Sequence, residues 1–341
     1  MRSALVGIVT AFALAACSSR PAAPDPGPAP ASKAEPEWTP PPIAPLDSAS
    51  QEPADPGREQ GRERLERALA ARKKGSPDPE LLRQALEDLE DAARRAPGDA
   101  EALRLRGLAR LEGARQAADH GGDFEPLGKA AIQDFDDAVK RDPRSAGARA
   151  GRGEVRAALV ASRMPGGDFT GRGDLEAAIA DYTEALRLDP ERAAFYAGRA
   201  FARQKLAVAR FFARVPVGEL FGAAMKDLEE AIRREPSDAA CHRQKAEAMF
   251  EVGVYALYRG DPPREWYAGA VKEYEETSRL EPALAPLIES GLKTCRDRAG
   301  EAPAAVPPEP GIVWAKTFEL GQREARIRRV PILFYVSGGA G

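Results

Sequence analysis

Histidine and cysteine are almost missing from this chain, with two and three copies among 341 residues. His120 and His242 lie far apart, and so do Cys241 and Cys295. Neither a structural metal site nor a Ser/His or Cys/His catalytic set has support in such spacing, and no cofactor is expected. An excess of one charge is missing too. Fifty Lys and Arg stand against 53 Asp and Glu, a net charge of −3 that is spread along the chain rather than blocked. No basic stripe for nucleic acid results. No carboxylate pair stands in a recognisable setting for glycan hydrolysis. The apolar run at the N-terminus, Ala4 to Ala13, is too short to span a bilayer as a permanent helix.

What the chain does have is a phrase that occurs five times. It reads Ala, three residues, a large apolar residue, two residues, a small residue, four residues, Pro. The copies are Ala85/Leu89/Ala92/Pro97, Ala131/Phe135/Ala138/Pro143, Ala178/Tyr182/Ala185/Pro190, Ala224/Leu228/Ala231/Pro236 and Ala270/Tyr274/Thr277/Pro282. The prolines lie 46, 47, 46 and 46 residues apart. Steps of four and three place the apolar positions on one helical face. Small residues let a neighbouring helix approach, and the large one fills the remaining gap. Pro cannot continue a helix and biases its predecessor away from helical geometry, so each copy ends at its Pro. A fixed period of this length means a stacked array. The expectation is an all-α fold, a solenoid of about five elongated helix pairs plus a final helix.

The phrase resembles the second helix of a tetratricopeptide repeat. The first-helix signature is weaker. Gly107 and Gly153 fall ten residues after a Pro, with Ala200 and Ala246 at the equivalent places. The early aromatic of the family appears only as Tyr196, against Leu103, Arg149 and His242 in other copies. The family unit is about 34 residues, so each unit here carries roughly a dozen more. They are expected between the two helices of a unit. Part would lengthen the first helix, as in the unbroken run from Glu191 to Arg214. The rest would form loops such as 119–128 and 162–173, rich in Gly, Pro and Asp. The resemblance implies that first-helix residues line a concave groove for a protein or peptide partner. The candidates there are Arg104, Leu108, Glu154, Phe201, Lys205, Arg243 and Phe250. The Arg runs Arg104/Arg106/Arg110 and Arg149/Arg152/Arg156 read as a solvated face or as salt-bridge partners of nearby acids.

The two ends differ from the array. Arg2 and the apolar run lead to Leu14-Ala15-Ala16-Cys17, which resembles the lipobox of bacterial lipoproteins. The resemblance implies cleavage before Cys17, a thioether-linked diacylglycerol on its sulfur and an acylated amine. Several acyl chains give stable anchoring where one is marginal. Ser18 after the Cys suggests the outer membrane, facing the periplasm. The organisation is then a signal peptide over 1–16, a lipidated Cys with a Pro/Ala-rich tether over 17–57, the repeats over 58–299, a Pro-rich linker over 300–310 and a last segment over 311–341. That segment, with Trp314, Phe318 and the apolar run Ile332 to Val336, resembles the incomplete β-α-β opening of a thioredoxin-like domain. Its redox cysteines are not in the chain. Two readings stand: a fragment of a longer thioredoxin-like protein, or an apolar tail that pairs with the array or a partner.

Gly121-Gly122-Asp123-Phe124 and Gly166-Gly167-Asp168-Phe169 resemble the core of the diguanylate cyclase signature. They lack its second acid and sit in equivalent places of two adjacent units. A sharp turn at Gly and a cap at Asp explain them instead. Cys241 and Cys295 are expected to be free and buried. The function implied is a lipid-anchored, non-catalytic scaffold of the bacterial cell envelope. The alternative is the adaptor part of a thiol–disulfide redox protein.

Overall fold

The computed structural model describes residues 55–300 apart from Lys74 and Arg214. The signal segment, Cys17, the tether as far as residue 54 and the thioredoxin-like reading of 311–341 lie outside the described residues, whereas residues 56–57 of the expected tether belong to the first helix. Eleven α-helices and no strand occur among the described residues. First helices α1 (Pro56–Lys73), α3 (Ala100–Asp119), α5 (Ala146–Arg163), α7 (Ala193–Phe212) and α9 (Ala239–Arg259) alternate with second helices. The second helices are α2 (Pro79–Arg95), α4 (Glu125–Arg141), α6 (Arg172–Leu188), α8 (Gly218–Arg234) and α10 (Arg264–Leu280), and α11 (Ala285–Gly300) comes after them. Five helix pairs and a final helix therefore stack as the period predicts.

Each phrase does what its spacing requires. Its Ala, its large residue and its small residue are buried in all five copies, none more than 4% exposed. Burying a side chain the size of Leu or Phe stabilises by roughly 1.5–3 kcal/mol. The residue before each Pro leaves helical geometry, with ψ between 75° and 89°. Its N–H still donates to the carbonyl of the phrase's small residue: Ala92, Ala138, Ala185, Ala231 or Thr277. The Pro then forces a four-residue turn into the next first helix. Asp99, Ser145 and Asp238 cap α3, α5 and α9 by accepting from backbone N–H groups. Arg192 holds that register position before α7 and makes no such bond.

The extra residues are distributed differently from the expectation. All five second helices have 17 residues and the first helices 18 to 21, so both partners are lengthened. The proposed loop 119–128 shrinks to 120–124. Within 162–173, a 3-10 turn at Met164–Gly166 leaves only 167–171 irregular. Gly75, Gly121, Gly167 and Gly260 end these first helices at positive φ of 76° to 84°. Their numbers differ by the repeat period, because only glycine takes that conformation without strain.

Each first helix packs against its own second helix and the preceding one. Neighbouring first helices also touch, whereas neighbouring second helices make at most marginal contact. The stack therefore bends with first helices on its inner side. Where the large residue of a phrase is aromatic it wedges between two first helices, as Phe135 does against Gly107 and Gly151 and Tyr182 against Gly153 and Gly198. Tyr182 packs so closely on Gly198 that a Cβ there would stand 2.2 Å from its ring.

A buried ion cluster locks each central pair. Arg106 and Arg110 of α3 both bond to Asp134 of α4, with contacts of 2.5 to 3.1 Å. Arg152 and Arg156 hold Asp181 of α6, and Arg199 and Arg203 hold Asp227 of α8, at 2.5 to 3.0 Å. The three carboxylates are 2 to 6% exposed. Each immediately precedes the large residue of its phrase. The outer units keep a reduced version: Arg64 with Asp88 at 2.6 Å, and Lys245 with Glu273 at 2.8 Å. The Arg runs are thus salt-bridge partners rather than a solvated face at Arg106, Arg110, Arg152 and Arg156.

Removing one partner leaves buried charge without compensation. Asp181→Ala is expected to destabilise by about 3–5 kcal/mol, measured as an earlier urea transition by circular dichroism. An unchanged midpoint would overturn the structural role of the cluster. Arg192→Asp should supply the missing cap and raise stability by about 1 kcal/mol. A lowered melting temperature would count against that assignment.

Candidate interaction surface

The inner side is built from the first helices, whose alternating buried and half-buried positions leave one side of each open. The seven residues selected from sequence fall unevenly along it. Arg104 is half-buried, and its guanidinium is held by Glu101 through two bonds of 2.7 Å. Leu108 is partly buried and packs where the cores of the first two units meet. Glu154 of α5 accepts from Arg115 of α3. Phe201 of α7 is half-buried, with the Lys205 ammonium 5.3 Å from its ring centroid. Lys205 also bonds across to Glu251 of α9 at 3.2 Å. Arg243 pairs with Glu247 one turn on at 2.5 Å.

Phe250 departs from the expectation. It is 5% exposed and packs with Ala246, Tyr267 and Cys295. Its register partners are Leu65, Leu111, Ala157 and Gln204, the first three of them core residues as well. The counting that placed Phe250 on the groove was one helical step off for a residue whose neighbours Glu251 and Glu247 do face that side. Gln204 is the polar exception in this series. It is buried beside Glu251.

Sequence reading missed a set of bridges between neighbouring first helices. Arg72 reaches Glu112 and Asp119, at 3.0 and 3.1 Å. Arg115 reaches Glu154, and Lys205 reaches Glu251. The Gln244 amide donates to the Ala197 carbonyl at 2.9 Å. Burial raises the carboxyl pKa of Glu112 and of Glu251. These partners lie 39 to 47 residues apart. Only the fixed period could have flagged them, by aligning one residue of a unit with its counterpart in the next. The charges of this side thus meet each other first. What remains open is half-buried apolar surface, Leu108 and Phe201, set among paired charges.

Several other sequence readings find their places. Asp123 and Asp168 accept from backbone N–H groups two residues on, at 2.9 Å each, so both Gly-Gly-Asp-Phe copies are loop chemistry, but the expected cap is not made, since Phe124 and Gly171 hold the N-cap positions of the helices that follow. His242 bridges α9 and α10 through Glu273, at 2.7 Å. His120 bonds the Gln116 carbonyl at the end of α3, also at 2.7 Å. No cluster of three potential metal ligands occurs among the described residues. No helix among them is long and apolar enough to cross a membrane.

Cys241 and Cys295 are free and buried, as expected. Burial pushes both thiols up to about 12, so neither is a thiolate at neutral pH. Alkylation of the native protein at pH 7.5, read per residue by mass spectrometry, should leave both unmodified. Rapid native labelling of either would contradict its burial.

Residues 166–206, which span α6 and most of α7, match the family model described as TPR repeat. Among curated proteins none matches significantly. Solved structures of similar fold include TTC0263, a thermophilic TPR protein of Thermus thermophilus. It is 20% identical with a TM-score of 0.48, over 69% of this chain and 98% of that one. PilF of Pseudomonas aeruginosa is 17% identical with a TM-score of 0.36, over 71% of this chain and 89% of its own. YrrB, described as a TPR protein with an unusual peptide-binding site, is 15% identical with a TM-score of 0.34, over 72% and 94%. The described residues form an all-helical, TPR-like solenoid, of which residues 166–206 match the TPR repeat model.

Proposed function

We propose that this chain is a non-catalytic scaffold that holds a protein or peptide partner on the inner side of its first helices. One observation carries the reading. Five first helices line one continuous side, where Leu108 and Phe201 offer half-buried apolar contact between charges that are already paired. Such a surface suits an extended peptide or a helix with apolar anchors. Aromatic and apolar centres surrounded by polar residues are where binding energy concentrates at interfaces. The paired charges select neither a strongly acidic nor a strongly basic ligand. Arg104, Glu154, Lys205 and Arg243 would supply the polar surround, using donors and acceptors left over from their own pairs.

The proposal extends to location. A lipid on Cys17 and a tether from there to the first helix at Pro56 would hold the array at the bacterial cell envelope, at the outer membrane facing the periplasm. At ~3.1 Å per extended residue, the tether reaches up to roughly 100 Å from the lipid. The support is the lipobox-like sequence and the Pro/Ala-rich composition of residues 20–57.

Two measurements test the two parts separately. Crosslinking in cells, followed by identification of partners, should recover the same envelope protein with the native chain and with a second-helix surface variant such as Arg94→Ala. Leu108→Glu with Phe201→Glu should reduce that recovery at least tenfold. Undiminished recovery would place the partner elsewhere. For the anchor, Cys17→Ala should abolish incorporation of labelled palmitate and release the protein from membranes. Persistent labelling refutes lipidation at this cysteine.

A further inference from the structure

The aromatic residues of this chain are not spread evenly. Five of them gather along one edge of the array, where first helices α7 and α9 end. Phe169 stacks on Phe212 with ring centroids 4.0 Å apart. Phe211 meets Phe212, Tyr255 and Tyr258 edge to face, at 5.5, 5.9 and 4.8 Å. All five rings are half-buried, and the same edge carries Val215 and Trp266, 40% and 37% exposed.

The repeat itself does not demand this ridge. At the register that Phe212 and Tyr258 share, units one and two have Lys73 and Asp119, and at the register of Phe211 they have Arg72 and Ala118. These helices end equally well with charged or small residues. The ridge is confined to the third, fourth and fifth units, next to the end of the array where α11 lies. Large apolar groups kept at an edge without need in the repeat are a sign of something that packs on them.

We propose that the chain's own segment 311–336 docks on this ridge, with Trp314 and Phe318 as its anchors. Three considerations select it over other occupants. First helices are all parallel, because an antiparallel second helix separates each from the next. The chain therefore leaves α11 at Gly300 on the same edge as the ridge. Adjacent helices pack 8–10 Å apart, which puts α9 within ~20 Å of α11 and α7 within ~40 Å. Fourteen residues separate Gly300 from Trp314, and at ~3.1 Å each in the Pro-rich linker they span ~43 Å. The segment also has matching chemistry, with Ile312, Val313, Trp314 and Phe318 within seven residues. Ring pairs add specificity to such apolar contact. The inference is independent of what binds the inner side, since the ridge runs along the helix ends.

The test uses the full chain. Trp314→p-benzoylphenylalanine places a photo-crosslinker in the segment while the ridge stays native. Irradiation and peptide mapping should join position 314 to peptides containing Phe211, Phe212 or Tyr255 to Trp266. Mixing isotopically light and heavy chains separates links within a chain from links between copies. Links confined to the inner side, to other copies or to α11 alone would overturn the proposal. So would an absence of links. A second readout is fluorescence. In the W38F/W266F chain Trp314 is the sole tryptophan, and Val215→Asp should raise its acrylamide quenching constant at least threefold while the helical circular dichroism stays unchanged. A constant that does not move, or one already at the level of free tryptophan before the change, also overturns it.

Discussion

The interaction on which the rest of the array depends is a buried carboxylate held between two arginines. Asp134, Asp181 and Asp227 are nearly inaccessible, and each takes both carboxylate oxygens into bonds with two guanidiniums one helical turn apart. A buried charge is costly unless fully compensated, so this geometry tolerates little error. Its two arginines belong to one helix and its acid to the partner, which fixes the rotation of both helices about their axes. The large residue of the phrase, one position later (Phe135, Tyr182 or Leu228), is thereby fixed in its direction as well. Apolar packing alone would leave that rotation softer, because alanine-rich faces slide at small cost.

The weakening of the cluster toward the ends has the same physical logic. Terminal helices face solvent on one side and need less fixing. In the first unit, Gln60 replaces the first arginine of the pair, and Arg64 alone serves Asp88. In the fifth, Lys245 and His242 share Glu273, while Met249 stands where the second arginine would be. Final helix α11 buries a single stripe, Ile288, Gly291 and Cys295, and leaves Glu289, Lys293, Arg296 and Asp297 to water. A polar outer face is the property that keeps the end of a solenoid soluble. The inner side is governed by pairing as well. Bridges from Arg115 to Glu154 and from Lys205 to Glu251 tie neighbouring first helices together, so this side is both a surface and part of the lock that holds the curvature.

Much of the fold was legible because it is local. Ala, a large residue and a small residue at steps of four and three must share a helical face. Pro must end the helix after them. Asp99, Ser145 and Asp238 stand where a helix can begin. The glycine series at the first-helix ends was equally local and went unread, because two of its members sit inside the Gly-Gly-Asp-Phe look-alikes. The surface was less legible. Phe250 looked like a groove residue from its count along the helix, yet a single helical step turns it into the core against Tyr267. For Arg106 and Arg152 the sequence left a solvated face and a salt bridge both open, because the acids that hold them are 28 and 29 residues away.

By itself, then, the sequence determined which segments are helices, where each second helix stops and that they repeat. Those properties rest on backbone geometry and on side chains within one or two turns of each other. Tertiary structure alone decided which charges are buried, which first-helix positions remain open and that the aromatic residues of three units form one ridge. Each of these depends on the angle at which helices cross and stack. That angle is set by contacts between residues distant along the chain, and no local pattern encodes it.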